Sequence, residues 1–230
     1  EVGVTTIQLS DRSAEVWYPV DPEDIGDGPR DAYFIKDYLS TAFAALVPPE
    51  VNPPYVTDAT RGVPASDAGP FPLVLFSHGF ASYRTQSTFL TTHLASWGFV
   101  VVSPDYLERG LRSVLGEPPA ATRADLDVAD EAIEALRSAG ADGADLLGGV
   151  VDATTVYPVG HSAGGSTSIR LLTREDVTMA IPLAAGLNIT SVPNAVNMLP
   201  ADKAVTWIAA PNDAIASIDD VRRGFDYTAG

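Results

Sequence analysis

The residue type and spacing best suited to chemistry occur in the run Gly160-His161-Ser162-Ala163-Gly164. It fits the pattern G-x-S-x-G, which places a serine on a sharp turn between a strand and a helix. The glycines are needed because the two backbones pass so closely that a Cβ would clash. The helix directs its N-terminal amides and positive dipole end at the serine, where acyl transfer develops negative charge. The run predicts a serine nucleophile; the other interpretation is a plain glycine-rich turn.

A second candidate segment, His78-Gly79-Phe80, follows a short apolar run upstream. In acyl-transfer sites one oxyanion amide comes from the residue after the nucleophile and the other from an earlier loop of this kind. These positions are Ala163 and Phe80. We therefore predict that the amides of Phe80 and Ala163 form an oxyanion hole.

The three histidines of the chain are each predicted to be structural. His78 is expected to organise its own loop through ring hydrogen bonds rather than to act as a general base. His161 should point away from Ser162 on the turn, and His93 falls inside a predicted helix. None of them is placed to serve as the base.

The elements that must position these residues alternate between strands and helices from residue 73 onward. Short apolar runs predict strands, and 3.6-residue spacing predicts helices. We predict strands at 73–76, 99–102, 155–159, 179–183 and 204–209, and helices at 88–97, 125–138 and 166–173. Such alternation implies an α/β fold with a mostly parallel sheet covered on both faces, whose reactive groups lie at the carboxyl ends of the strands.

The N-terminal third has a different pattern. Residues 4–20 alternate as two short strands that form an antiparallel edge. Residues 33–46 have helical spacing and end at a Pro-Pro pair, and residues 53–72 predict a long surface connection. Three aspartates in residues 21–28 match no metal-binding loop, so a solvated loop is expected there and no metal.

The amino-acid composition limits the number of domains and the classes of partner that can be expected. The 230 residues, 46% of them hydrophobic, can bury one core, so residues 1–230 are expected to form a single domain. A net charge of −16 argues against nucleic acid, and the absence of cysteine excludes thiolate chemistry. No apolar run is long enough to span a bilayer. The start at Glu1 suggests a processed terminus, so we expect a secreted bacterial enzyme, although a cytoplasmic one fits nearly as well.

Four segments together resemble a known family. They are Val16-Trp17-Tyr18-Pro19, the run from Pro72 to Phe80, the run from Leu94 to Val101, and the run from Gly160 to Gly165. They are similar to the bacterial platelet-activating-factor acetylhydrolase and dienelactone-hydrolase-like branch of the α/β-hydrolases. Cutinase-like polyester hydrolases and chlorophyllases share the same order of motifs. The resemblance implies an α/β-hydrolase fold and a Ser-Asp-His triad in that chain order, with no cofactor.

The resemblance also implies the acid of the triad. Residues 205–216 are similar to the family's strand and following loop, which ends in an aspartate, and Asp213 is the match. Such an aspartate orients the imidazole and stabilises the imidazolium. Asp219 and Asp220, a few residues later, are expected at the solvated start of a helix.

The family's histidine follows the acid, and no histidine follows Asp213. Residues 225–230 lie where the family's last strand would begin. Either the sequence is the N-terminal piece of a longer enzyme, whose last strand, helix and histidine lie on a companion chain or were removed, or the protein is a pseudoenzyme. We favour the companion chain, because a sheet truncated at a buried position would expose an apolar edge.

The expected activity is hydrolysis of a small-molecule or polymeric carboxylic ester through an acyl-enzyme. The alternatives are a serine peptidase on the same fold and an inactive binding module. Phe80, Tyr83 and Tyr106 lie in loops at the carboxyl ends of strands. They are the candidate substrate contacts, and simple packing is the competing interpretation of each.

Overall fold

The computed structural model describes residues 1–142, 146–186, 200 and 202–228, and it centres on an eight-stranded sheet. The strands are β1 Val2–Gln8, β2 Ser13–Pro19, β3 Ala32–Tyr33, β4 Tyr55–Val56, β5 Thr60–Arg61, β6 Phe71–Ser77, β7 Val100–Pro104, β8 Val151–His161, β9 Met179–Leu183 and β10 Ala204–Val205. The helices are α1 Pro22–Ile25, α2 Thr41–Ala44, α3 Thr88–Ser96, α4 Leu111–Val114, α5 Asp125–Asp142, α6 Ala163–Arg170 and α7 Ile218–Thr228. Single 3₁₀ turns cover Ile35–Tyr38, Pro49–Val51 and Leu171–Thr173.

The sheet is mostly parallel, as predicted. Its strand order is β10-β9-β8-β6-β7-β2-β1-β5. The pairs from β10 to β7 are all parallel. β2 runs antiparallel to both β7 and β1, which confirms the predicted antiparallel hairpin, and the short β5 lies outside it. The carboxyl ends of β6, β7, β8 and β9 therefore meet along one edge of the sheet.

Helices cover both faces because the central strands are apolar on both sides. Leu73 and Leu75 of β6 belong to a buried cluster that includes Ile133 of α5. Val74 and Phe76 belong to the cluster on the other face, which includes residues of α3. Each fully buried side chain of this size contributes about 1.5–3 kcal/mol relative to exposure. The two clusters hold β6 and β8 rigidly beneath the loops at their carboxyl ends.

Residues 33–46 do not form the predicted helix. They divide into a β-strand residue, the 3₁₀ turn and the one-turn helix α2. The Ser40 side chain accepts a hydrogen bond from the Phe43 amide at 3.3 Å, and the Asp37 side chain accepts one from the Phe34 amide at 3.1 Å. Polar side chains that bond nearby amides compete with helix formation, so the apolar spacing was misleading here.

The segment 204–209 was predicted as a strand, and only Ala204–Val205 has strand geometry. The chain nevertheless continues beside β9. The Thr206 amide donates to Ala180 O at 2.9 Å and the Ile208 amide to Pro182 O at 3.1 Å. Farther on, residues 225–228 belong to α7, whose first turn contains Asp219 and Asp220 as expected. Among the described residues, no helix is long and apolar enough to cross a membrane.

Candidate active site

Ser162 lies on the turn between β8 and α6 with a backbone conformation that few side chains adopt. Its φ is 54° and its ψ is −119°. Its amide donates to Leu183 O of β9 at 2.9 Å, and its carbonyl accepts from the Gly165 amide at 2.9 Å. Such strain persists only when surrounding contacts over-determine it, and it is concentrated at functional sites.

The glycines of the turn are required by close backbone packing, as the motif predicted. A Cβ on Gly160 would lie 2.0 Å from Gly164 O, and one on Gly164 would lie 1.9 Å from Ser77 O. A Cβ on Gly165 would lie 2.4 Å from the Ala185 Cβ. Strand β8, helix α6 and the end of β6 therefore meet at a distance that no other residue type permits.

The loop after β6 passes directly beside Ser162. A Cβ on Gly79 would be 3.4 Å from the Ser162 Cβ. Within the described part of the chain, neither the Phe80 amide nor the Ala163 amide donates to any protein group. Two amides near a serine that the fold leaves unbonded are free to donate to a ligand oxygen.

His78 is fully buried and both of its ring nitrogens are used. Nδ1 donates to Gly79 O at 2.9 Å, and Nε2 accepts from the Tyr106 amide at 2.9 Å. Burial, together with the nearby Arg109 cation, lowers the pKa of His78 to about 4. The ring is neutral at pH 7 and organises the loop, which confirms the prediction made for it.

The other two histidines also point to other partners. The His161 Nδ1 accepts from the Gln86 amide nitrogen Nε2 at 2.9 Å. Burial lowers the pKa of His161, and the neighbouring Asp213 carboxylate opposes that shift. His93 is exposed on α3, with its ring 6.1 Å from that of Trp97. No hydrogen bond in the described residues joins any of the three histidines to Ser162 or Asp213.

Asp213 lies in the loop that follows the segment beside β9. Its Oδ1 accepts hydrogen bonds from the amides of Ile215 at 2.8 Å and Ala216 at 2.9 Å. These bonds lower the pKa of Asp213, so its carboxylate is charged at neutral pH. The other oxygen, Oδ2, accepts no hydrogen bond from the described residues. The carboxylate thus lies close enough to His161 to act on it electrostatically, at the Ser162 end of the sheet.

A cleft of about 260 Å³ opens at the serine. Ser162, Ala163, Ser166 and Ile215 line it, and so does Asp220. The sequence placed Asp220 only at a solvated helix start, because its proximity to Ser162 depends on how α7 packs. Asp220 accepts from the Ser217 hydroxyl at 2.7 Å and pairs with Arg223.

A second cleft, of about 410 Å³, lies on the other side of Ala184 and is mainly apolar. Phe89, Leu183 and Ile208 line it, next to His161. Phe89 is 78% exposed and Ile208 is 51% exposed, while Phe80 is 66% exposed on the loop beside Ser162. Phe89 and Ile208 were not predicted from the sequence, because helical or strand spacing does not distinguish an apolar side chain at the rim of a cleft from one in the core.

Two of the three predicted substrate contacts lie elsewhere. Tyr106 is completely buried, and its hydroxyl is 2.7 Å from Ser77 Oγ. Its side chain therefore packs in the interior of this structure, which does not support the predicted substrate contact. Tyr83 is half-buried and stacks on Tyr38 with ring centroids 4.4 Å apart. Among the three predicted substrate contacts, the side chain of Phe80 is the one that is largely exposed to solvent.

The parallel sheet with its antiparallel start, and the strained serine between β8 and α6, define an esterase-like α/β-hydrolase. A protein-family model, Chlorophyllase, matches residues 46–198, and the chain belongs to the chlorophyllase family. The solved structure of a ferulic acid esterase from Streptomyces cinnamoneus is similar in fold, with a TM-score of 0.57 and 21% sequence identity. The match covers 91% of this chain and 73% of that one. No curated protein matches the chain.

Proposed function

We propose that this protein hydrolyses carboxylic esters through Ser162. The observation that carries the proposal is the strained turn, which holds Ser162 next to the unbonded Ala163 amide and against Gly79, the residue before the unbonded Phe80 amide. In the proposed reaction, Ser162 Oγ attacks the ester carbonyl carbon and gives up its proton to a base. The two amides donate to the carbonyl oxygen as it becomes negative.

The intermediate then collapses, and the alcohol leaves with the proton held by the base. The acyl group remains on Ser162 Oγ as an ester. Water attacks this second ester with help from the same base, releases the carboxylic acid and restores the serine. Neither half of the cycle requires a redox step.

We propose Asp213 as the acid that orients the base. Its Oδ2 is available for an imidazole N–H, and its low pKa keeps it charged when the imidazolium forms. The base itself is proposed to be the histidine of a companion chain, as the order of residues in the resembling family implies. An imidazole bridging Asp213 and Ser162 would complete the triad.

The apolar cleft next to His161, which shares Ala184 with the cleft at Ser162, favours an ester with a bulky apolar group on one side of the scissile bond. Phe89, Leu183 and Ile208 supply the apolar contact, and exposed Phe80 adds an aromatic surface at the oxyanion loop. The similar solved structure is described as a ferulic acid esterase, which is consistent with an aromatic acyl group. Both small-molecule and polymeric esters can present such a group.

An inactive binding module is the second candidate function. It is favoured by one observation, that none of the three histidines is hydrogen-bonded to Ser162. The two candidates differ in the reactivity of the serine. A triad activates Ser162 toward a fluorophosphonate probe, while a binding module without a base leaves it as inert as an ordinary serine.

The test compares the purified protein with Ser162→Ala and with Ser166→Ala. Ser166 lines the same cleft and is exposed on α6, so Ser166→Ala controls for nonspecific labelling of a serine in that cleft. We expect fluorophosphonate to label Ser162 in the parent and in Ser166→Ala. Ser162→Ala should lose labelling and lower hydrolysis of a chromogenic ester by about 10⁴-fold or more. Intact mass would show whether a companion chain is present.

Residual hydrolysis within tenfold of the parent in Ser162→Ala would contradict the assignment of the nucleophile. A folded parent that mass shows to be bound to a second chain, yet is neither labelled nor active, would favour the binding module.

A further inference from the structure

Arg109 is a buried cation that the proposed chemistry does not use. It lies in the loop between β7 and α4 and is 9% exposed. Its Nε and Nη2 both donate to the His78 carbonyl, at 3.1 and 2.9 Å. Its Nη1 donates to Thr167 Oγ1 at 3.1 Å and pairs with Asp125. The guanidinium therefore joins the first residue of the oxyanion loop to α6, the helix that follows Ser162.

The backbone of Arg109 is bonded to the same loop on the other side of Phe80. The Arg109 carbonyl accepts from the Ala81 amide at 2.8 Å. The Gly79–Phe80 peptide unit, which carries the Phe80 amide, lies between the His78 carbonyl and the Ala81 amide, and both of these groups are hydrogen-bonded to Arg109. The Arg109 guanidinium also lies 4.0 Å from the centroid of the Tyr106 ring, which fixes its own position.

We propose that Arg109 is a positioning residue that sets the Phe80 amide relative to Ser162. An oxyanion hole acts only when its donors are held in the productive geometry before reaction, and shifts of about 0.5 Å already matter. Because the rigid Arg109 guanidinium is hydrogen-bonded to both the oxyanion loop and α6, it fixes the position of the Phe80 amide relative to the Ala163 amide. The catalytic consequence rests on the proposed ester hydrolysis; the effect on the loop does not.

A planar guanidinium is suited to this arrangement in a way that an ammonium is not. Two of its N–H groups meet one carbonyl oxygen while a third reaches the Thr167 hydroxyl and the Asp125 carboxylate. Lysine offers a single nitrogen on a flexible stem, so it can keep the ion pair with Asp125 but not all three contacts at once.

The chain contains a matched control at the opposite end of β8. Arg137 of α5 donates through Nε and Nη2 to the Ala153 carbonyl, at 3.3 and 3.0 Å, and pairs with Asp176 and Glu134. It has the same double donation to a backbone carbonyl and the same kind of acidic partners. Its carbonyl acceptor lies near the start of β8, while Ser162 follows the end of that strand.

The experiment compares Arg109→Met and Arg109→Lys with Arg137→Met and Arg137→Lys in the full chain, together with any companion that copurifies. Hydrogen exchange of the Gly79 and Ala81 amides reports the loop, and kcat and KM for a chromogenic ester report the site. We expect Arg109→Met to speed exchange at both amides by about tenfold or more. It should lower kcat by about 100-fold with KM within about threefold of the parent.

Arg109→Lys should give intermediate values, and it keeps the test decisive if the Met variant does not fold. The Arg137 variants should lower thermal stability while leaving loop exchange and kcat within about twofold of the parent. The proposal is overturned if folded Arg109 variants exchange at the parent rate, or if the Arg137 variants change the loop and kcat equally. A parent without esterase activity would count against the proposed function alone, since loop exchange still decides the role of Arg109.

Discussion

At the scale of the residue, the backbone of Ser162 is strained, and hydrogen bonds to neighbouring residues hold it in that conformation. A non-glycine residue in this backbone region costs about 1–3 kcal/mol. The bonds from its amide to Leu183 and from Gly165 to its carbonyl hold it there. The consequence is a side chain presented at the mouth of a cleft rather than folded into the helix that follows.

The role of Asp213 can be tested at the same scale. Its low pKa, caused mainly by the amides of Ile215 and Ala216, makes it a carboxylate at neutral pH. We expect Asp213→Asn to reduce kcat by about 10⁴-fold, because an amide favours the wrong imidazole tautomer. The melting temperature should change little, since the side chain contributes little to the core. Turnover of a chromogenic ester is the measurement.

Asp219 and Asp220 provide the comparison for that variant. Asp219 is exposed and pairs with Arg222 at 3.5 Å, so Asp219→Asn should behave like the parent. Asp220 lines the Ser162 cleft. If Asp220→Asn abolishes turnover while Asp213→Asn does not, the acid has been assigned to the wrong aspartate.

At the scale of the element, the site depends on how closely β6, β8 and α6 approach. Gly160 is the clearest example, because the atom that its Cβ would meet at 2.0 Å is the backbone carbonyl of Gly164. A flexible side chain could move away from such a contact, but the first turn of α6 cannot do so without losing the turn that holds Ser162.

We therefore expect Gly160→Ala to lower the free energy of unfolding by at least about 3 kcal/mol, at the upper end for overpacking. Gly28 is the matched control: no atom lies within 4 Å of its Cβ position, and its φ is not in the left-handed region. Gly28→Ala should stay within about 0.5 kcal/mol of the parent. Urea unfolding measures both, and equal stabilities for the two variants would argue against the close approach.

At the scale of the whole molecule, arginines connect parts of a strongly acidic chain. Arg12 pairs with Asp11 and with Glu108, and thereby joins the β1–β2 turn to the loop after β7. The hydrogen bond from Arg12 and, after it, the hydrogen bond from Arg123 lower the pKa of Asp11 to about 2. Stability from that carboxylate is present above its ordinary pKa of 3.8 and is lost as the pH falls toward 2.

The lowered pKa of His78 leads us to expect a second loss of stability on acidification, in a pH range above that of Asp11. The pKa of His78 falls from an ordinary 6.5 to about 4 in the folded protein. Between these values the unfolded chain binds the proton more readily, so the free energy of unfolding decreases as the pH is lowered from 6.5 to 4. A shift of this size corresponds to roughly 3.4 kcal/mol as an upper bound. The lowered pKa of His161 acts in the same direction.

Urea unfolding measured between pH 6.5 and pH 4 should show the decrease in the free energy of unfolding. An NMR titration should show whether His78 is the group that causes it. We expect the His78 ring resonances to change only near pH 4. A His78 that titrates near pH 6.5 in the folded protein would show that the ring is not buried as described.

The sequence by itself determined the turn at Ser162, the loop at His78 and the positions of the central strands along the chain. These follow from local patterns: glycine spacing around Ser162, and apolar runs long enough for a buried strand but too short for a helix. The antiparallel hairpin was predictable for the same reason. The assignment of Asp213, the oxyanion amides and the companion histidine remain predictions.

Only the tertiary structure decided the features that depend on contacts distant in sequence. Tyr106 and Phe80 are both loop aromatics, yet Tyr106 is buried beneath the loop that follows β6 and Phe80 is largely exposed. Asp220 reaches the serine cleft through the packing of α7, and Arg109 reaches His78 and Thr167 across 31 and 58 residues of chain. Local periodicity carries no information about such pairs, because they form only after the sheet has brought the loops together.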